Sequence, residues 1–91
     1  MSNFEKPKQE HSLEDFFKGL SEADQTILDN DIFNVHNLPL EVMEKITDQE
    51  IGRGIMNRMR QYLEWKTQNK SKIELKAEAK EISDLIERQL K

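Results

Sequence analysis

Apolar residues recur three and four positions apart along most of the chain, the spacing of one face of an α-helix. The first such stripe comprises Leu13, Phe16, Phe17 and Leu20, and others follow within residues 21–29, 39–46, 48–66 and 72–90. Between them, residues 32–35 (Ile-Phe-Asn-Val) are β-prone but have no pairing partner, so we expect an extended connector with its three apolar side chains in the core. The pattern predicts an all-α fold, a small bundle of four to five helices.

Residues that favour helix N-termini precede most of these stripes. Ser12, Ser21 and Ser71 each stand three residues before an acidic residue, so that the hydroxyl can accept a backbone N–H while the acid favours the positive helix end. Residues 47–50 (Thr-Asp-Gln-Glu) match a capping box with Thr47 as the N-cap, flanked by Ile46 and Ile51 as a hydrophobic staple. These signals predict where four of the helices begin.

The last two stripes predict a C-terminal α-hairpin of helices 48–66 and 72–90. At roughly 100° per residue, a continuous helix would place the two stripes roughly 190° apart, on opposite sides. A break at residues 67–70 instead lets both stripes face one core. One long helix over 48–91 is the alternative, and it would suit a rod that bridges partners.

The chain is predicted to hold one domain. Its 91 residues suit a single core, and residues 12–91 carry all the helical stripes. Residues 1–11 are polar, contain Pro7 and show no apolar period, so we expect a flexible N-terminal arm.

Charge divides the chain into two halves. Residues 1–50 contain 12 acidic and 4 basic residues, and residues 51–91 contain 10 basic and 6 acidic ones, which gives net charges of −8 and +4. The halves can complement each other, or a partner can recognise one of them. The chain has no cysteine and no long apolar run, so we expect a cytoplasmic protein without a membrane span.

Catalytic chemistry is not indicated. The two histidines, His11 and His36, have no second histidine, cysteine or fixed acid near them in sequence, and no nucleotide-binding or hydrolase motif is present. We therefore expect no enzyme activity, no metal and no cofactor.

The leading functional prediction is a small regulatory protein that binds another protein. Arg53, Asn57, Arg60 and Glu64 share the polar side of the helix predicted over 48–66, and Trp65 lies near its end. Arginine and tryptophan are common interface anchors, so these five residues are the predicted partner contacts. The helix over 72–90 is the element expected to form a homo-oligomer.

The alternative is a nucleic-acid-binding regulator that uses the same basic helix. The stretch from Arg53 to Lys72 has a net charge of +5 and carries Tyr62 and Trp65, features that suit phosphate and base contacts. Residues 46–55 (Ile-Thr-Asp-Gln-Glu-Ile-Gly-Arg-Gly-Ile), where this helix begins, resemble the first helix of helix-turn-helix units, although no turn and separate recognition helix follow. The acidic half would repel a phosphate backbone, and a basic face that pairs with that half is the simpler interpretation.

Overall fold

Five α-helices and one short 3₁₀ helix account for most of residues 12–90. The computed structural model describes residues 12–90. Its helices are α1 (Leu13–Lys18), α2 (Glu22–Asp31), a 3₁₀ helix (Phe33–Val35), α3 (Val42–Lys45), α4 (Gln49–Thr67) and α5 (Lys72–Arg88). The all-α prediction is confirmed, whereas the predicted arm over 1–11 lies outside the described residues. No helix within 12–90 is long and apolar enough to cross a membrane.

Side-chain caps set the helix starts where the sequence places them, with one exception. The Oγ atoms of Ser12, Ser21 and Ser71 each accept the backbone N–H three residues later, at 3.1–3.2 Å. For α4 the predicted cap at Thr47 is wrong, because Asp48 is the N-cap and its Oδ1 accepts the N–H groups of Glu50 and Ile51. A carboxylate accepts both bonds and also favours the positive end of the helix, which accounts for the one-residue shift.

The C-terminal half is a helical hairpin, as predicted, and the single long helix is excluded. Helix α4 ends in a Schellman motif, in which the Lys70 N–H donates to the Trp65 carbonyl at 3.1 Å and the Asn69 N–H donates to the Lys66 carbonyl at 3.4 Å. Asn69 has a left-handed backbone, with φ of 60°. The chain then restarts at the Ser71 cap, and α5 packs antiparallel on α4.

The core lies between the hairpin and the N-terminal helices. Phe33 is fully buried and packs edge-on against Phe17, with ring centroids 6.0 Å apart and ring planes at 89°. Two residues of the apolar pattern are instead exposed: Val35, expected in the core, at 44%, and Leu90, the last apolar residue of the stripe over 72–90, at 41%. The extended connector is wrong because residues 33–35 form a 3₁₀ helix that turns Val35 outward, and Leu90 lies beyond the end of α5.

Candidate functional site

The predicted contact residues lie along one solvent-exposed side of α4. Arg53, Asn57, Arg60 and Glu64 are all exposed, and Trp65 is half-buried. The Arg60 Nη1 donates to Asn57 Oδ1 at 2.9 Å. The structure therefore places four of these residues together on one exposed side of α4.

Two cation–π contacts tie this part of α4 to its surroundings. The Arg60 guanidinium carbon lies 5.0 Å from the centroid of the Phe16 ring on α1. The Lys70 ammonium lies 5.0 Å from the centroid of the Trp65 ring, at the elbow of the hairpin. Both cations thus cover aromatic surface of the chain itself.

Arg58, which the sequence groups with the basic face, holds the hairpin together. Its Nε and Nη2 donate to the two carboxylate oxygens of Glu78 at 3.0 and 2.9 Å, and its Nη2 also donates to Glu81 Oε1 at 2.6 Å. These hydrogen bonds, chiefly those to Glu78, raise the pKa of Arg58 above its ordinary value. Its partners lie on α5, so the expectation that this cation pairs with the N-terminal half is wrong.

Lys66 does pair with the N-terminal half. Its Nζ lies 2.7 Å from Asp31 Oδ2, and the Tyr62 hydroxyl donates to the same oxygen at 2.6 Å. Tyr62 is 2% exposed. Burial first, and the hydrogen bond to Asp31 second, raises the pKa of Tyr62 above its ordinary value of 10.0. The three side chains link α2 to the end of α4.

We expect Tyr62→Phe to lower the free energy of unfolding by about 1–2 kcal/mol, because a hydrogen bond to a charged acceptor is lost from a buried site. Burial and the hydrogen bond favour the neutral phenol and thereby raise its pKa, so this contribution is present below pH ~10 and is lost as pH rises through the folded-state pKa. Tyr62 is the only tyrosine. Its phenolate absorbance should therefore appear at higher pH in the native protein than in denaturant, and coincident titrations would contradict the hydrogen bond.

A groove with an apolar floor and a lysine rim lies where α4, α5 and the 3₁₀ helix meet, and Asp31, Tyr62 and Lys66 line part of it. Its volume is about 390 Å³. We call it the lysine groove; its floor comprises Val35, Tyr62, Leu75 and Ala79, and its rim comprises Asp31, Lys66, Lys72, Lys76 and Lys80.

The rim of the lysine groove carries more positive than negative charge. Lys66 is paired with Asp31, and the Lys80 Nζ lies 3.0 Å from Asp84 Oδ2. Lys72 and Lys76 are exposed and have no ion pair with any residue in 12–90. Lys72 is the first residue of α5, where the helix dipole adds positive potential, and Lys76 lies one turn further along.

The groove and the predicted contact face lie on different sides of α4. Tyr62 and Lys66 are roughly 180° and 220° around the helix from Arg53, by helical periodicity. The structure therefore does not bring the predicted contact residues into the groove. Lys76 and Lys80 lie four residues apart and therefore on one side of α5, and this spacing is the only signal of the rim that is visible in the sequence.

His36 is fixed by acids that are distant in sequence. Its Nε2 lies 2.6 Å from Asp84 Oδ1, and its Nδ1 lies 3.9 Å from Glu87 Oε2. The hydrogen bond with His36, and then that with Lys80, lowers the pKa of Asp84. The sequence shows no fixed acid near His36 because 48 residues separate it from Asp84, and the fold brings the two side chains into contact. The other histidine, His11, lies outside the described residues.

Similarity to known proteins does not identify a function for this fold. No protein-family model matches the chain, and neither the curated proteins nor the solved structures show significant similarity to it. Function must therefore be inferred from the lysine groove, the exposed face of α4 and the junction at His36 themselves.

Proposed function

We propose that this protein is a non-enzymatic regulatory protein that binds an acidic, partly apolar segment of another protein in the lysine groove. The observation that carries the proposal is the combination of an apolar floor with cations around it. Its cysteine-free composition favours the cytoplasm as its location.

The floor supplies the apolar contact that such a segment needs. Val35 on the floor is 44% exposed, and Ile73, one residue after Lys72 in the first turn of α5, is 82% exposed. Exposed apolar patches that are rimmed by polar residues often mark binding surfaces, whereas single exposed apolar residues are common on any protein.

The rim supplies selectivity for acidic segments. Lys72 and Lys76 have no acidic partner within residues 12–90, so a carboxylate-bearing partner would neutralise them without breaking an existing ion pair. Complementary charge raises association rates and suppresses wrong partners. The groove therefore favours a partner that presents both leucine-like and acidic side chains.

A nucleic-acid ligand fits these features less well. Arg58 and Lys66 are engaged by Glu78, Glu81 and Asp31, which removes two cations from the basic stretch. The chain as a whole has a net charge of −4. Tight binding to a phosphate backbone depends on several unpaired cations on one surface.

The direct test is fluorescence anisotropy with a labelled acidic peptide that carries leucines at helical spacing. We expect the Lys72→Glu/Lys76→Glu variant to bind this peptide about tenfold more weakly, because two favourable charge contacts become repulsive. A peptide with serine in place of each leucine should also bind more weakly, because the apolar floor is then left uncovered.

The matched control is Arg53→Glu/Arg60→Glu, which changes net charge equally on the other side of α4. We expect it to bind the acidic peptide as the wild type does. If this variant loses binding and the lysine variant does not, the partner uses the predicted face around Arg53, Asn57, Arg60, Glu64 and Trp65. If labelled duplex DNA or RNA binds more tightly than the peptide, with steep salt dependence, the nucleic-acid alternative replaces the proposal.

Self-association is measured in the same samples by light scattering. Helix α5 remains the proposed oligomer contact, supported by exposed Ile73 and, just past its end, Leu90. If a dimer forms and the acidic peptide dissociates it, the peptide and the second copy compete for the same groove.

A further inference from the structure

The junction of the 3₁₀ helix with α5 gathers three metal-ligating side chains from distant parts of the sequence. We propose that His36, Asp84 and Glu87 bind a divalent transition-metal ion of the Zn²⁺ or Co²⁺ class. One nitrogen or oxygen atom from each of the three side chains lies within 4.8 Å of the other two. This inference is independent of the proposed function.

The separations suit a metal after small side-chain movements. Ligand atoms around tetrahedral zinc, with bonds of about 2.0–2.1 Å, lie roughly 3.3 Å apart. The 2.6 Å contact joins Asp84 to Nε2 of His36, whereas the 3.9 Å contact joins Glu87 to Nδ1. One ring nitrogen alone binds the ion, so the carboxylate beside the other nitrogen must move towards it, from a separation within 4.8 Å. Asp84 and Glu87 are one turn apart on α5, so their carboxylates reach the same side of the helix.

The backbone that carries His36 is held in place. His36 directly follows the 3₁₀ helix that contains the buried Phe33. The Phe33 carbonyl accepts the Leu38 N–H at 2.8 Å, which closes the backbone around His36. Asn37, the next residue, has a left-handed backbone with φ of 53°, which ends the 3₁₀ segment. A ligand fixed in this way loses little freedom when it binds an ion.

The donor set determines the class of ion and the openness of the site. One imidazole and two carboxylates suit borderline divalent cations better than Ca²⁺ or Mg²⁺, which prefer oxygen donors alone. The three side chains are 26%, 32% and 40% exposed, so the ion can enter from solvent and retain a water molecule. Three protein ligands with an open position are typical of exchangeable rather than closed structural sites.

Lys80 opposes the ion and thereby provides a specific test. Its ammonium lies 3.0 Å from Asp84 Oδ2 and is 63% exposed, so it can swing away when a cation takes the carboxylate. Removing this positive charge with Lys80→Met should tighten metal binding about two- to fivefold. If Lys80 only stabilised the fold, its removal would not tighten metal binding.

The experiment is titration of the full chain with Zn²⁺ by calorimetry and with Co²⁺ by absorption spectroscopy. We expect one ion per chain, and roughly tenfold weaker binding for His36→Ala and for Asp84→Asn. His11→Ala is the matched control and should bind as the wild type does. Circular dichroism of each variant confirms that the helices are retained.

Two results would overturn the site. One is the absence of saturable Zn²⁺ binding below about 1 mM. The other is binding that is unchanged in His36→Ala or lost in His11→Ala. If His36→Ala fails to fold, the Lys80→Met result decides, because weaker or unchanged binding there contradicts an ion at Asp84.

Discussion

Replacing Phe33 with alanine is expected to lower the free energy of unfolding by about 3–5 kcal/mol. The ring is fully buried and makes an edge-on contact with Phe17, so truncation opens a cavity and removes an aromatic pair. Domains of this size have total stabilities of only about 5–15 kcal/mol. Urea denaturation followed by circular dichroism should therefore show a much earlier transition, or no folded baseline.

Val35→Ala is the matched control for this substitution. The two residues lie two positions apart in the same 3₁₀ helix, but Val35 is 44% exposed. We expect a loss below about 1 kcal/mol for Val35→Ala. Equal losses for the two variants would mean that the 3₁₀ helix does not orient these side chains as described, and the extended connector would regain support.

Arg58→Met is expected to cost about 2–3 kcal/mol, the second largest effect. The Glu78 side chain is only 11% exposed, so removal of Arg58 leaves a largely buried carboxylate without its bidentate partner. Methionine retains most of the aliphatic length of arginine, so the loss reports chiefly the missing guanidinium. The measurement is again the free energy of unfolding in urea at neutral pH.

Three further variants separate the ion pairs from simple packing. Arg58→Lys should recover only part of the loss, because an ammonium cannot make the bidentate contact. Glu81→Gln should cost less than about 1 kcal/mol, since the Glu81 side chain is 65% exposed. Adding Glu78→Gln to Arg58→Met should restore stability in part. An Arg58→Met protein as stable as the wild type would show that the hairpin does not depend on this cluster.

The hairpin could be predicted from the sequence because its determinants are local. The serine before α5 and the opposed phases of the two stripes both lie within a few turns of the break. The 3₁₀ helix could not be predicted in this way. Its β-prone residues 32–35 are held by packing of Phe33 against Phe17, a contact that local propensity does not contain.

The candidate sites were predicted less completely than the fold. The exposed side of α4 follows from helical periodicity, so the positions of Arg53 and Arg60 on one face could be derived. The lysine groove could not be predicted, because its position depends on which part of α5 lies beside Val35 in the fold. The proximity of His36 to Asp84 likewise arises from the return of the hairpin past the 3₁₀ helix, which no spacing in the sequence encodes.

The lysine groove is assembled from three separate segments of the chain, since Val35, Tyr62 and Leu75 belong to different helices. It therefore exists only while those helices are packed together, and unfolding abolishes it. Any molecule that occupies it must shift the folding equilibrium towards the native state, by about 2.7 kcal/mol at a free concentration of a hundred times Kd. The melting temperature of the chain is thereby a reporter of occupancy, even for a ligand that carries no label.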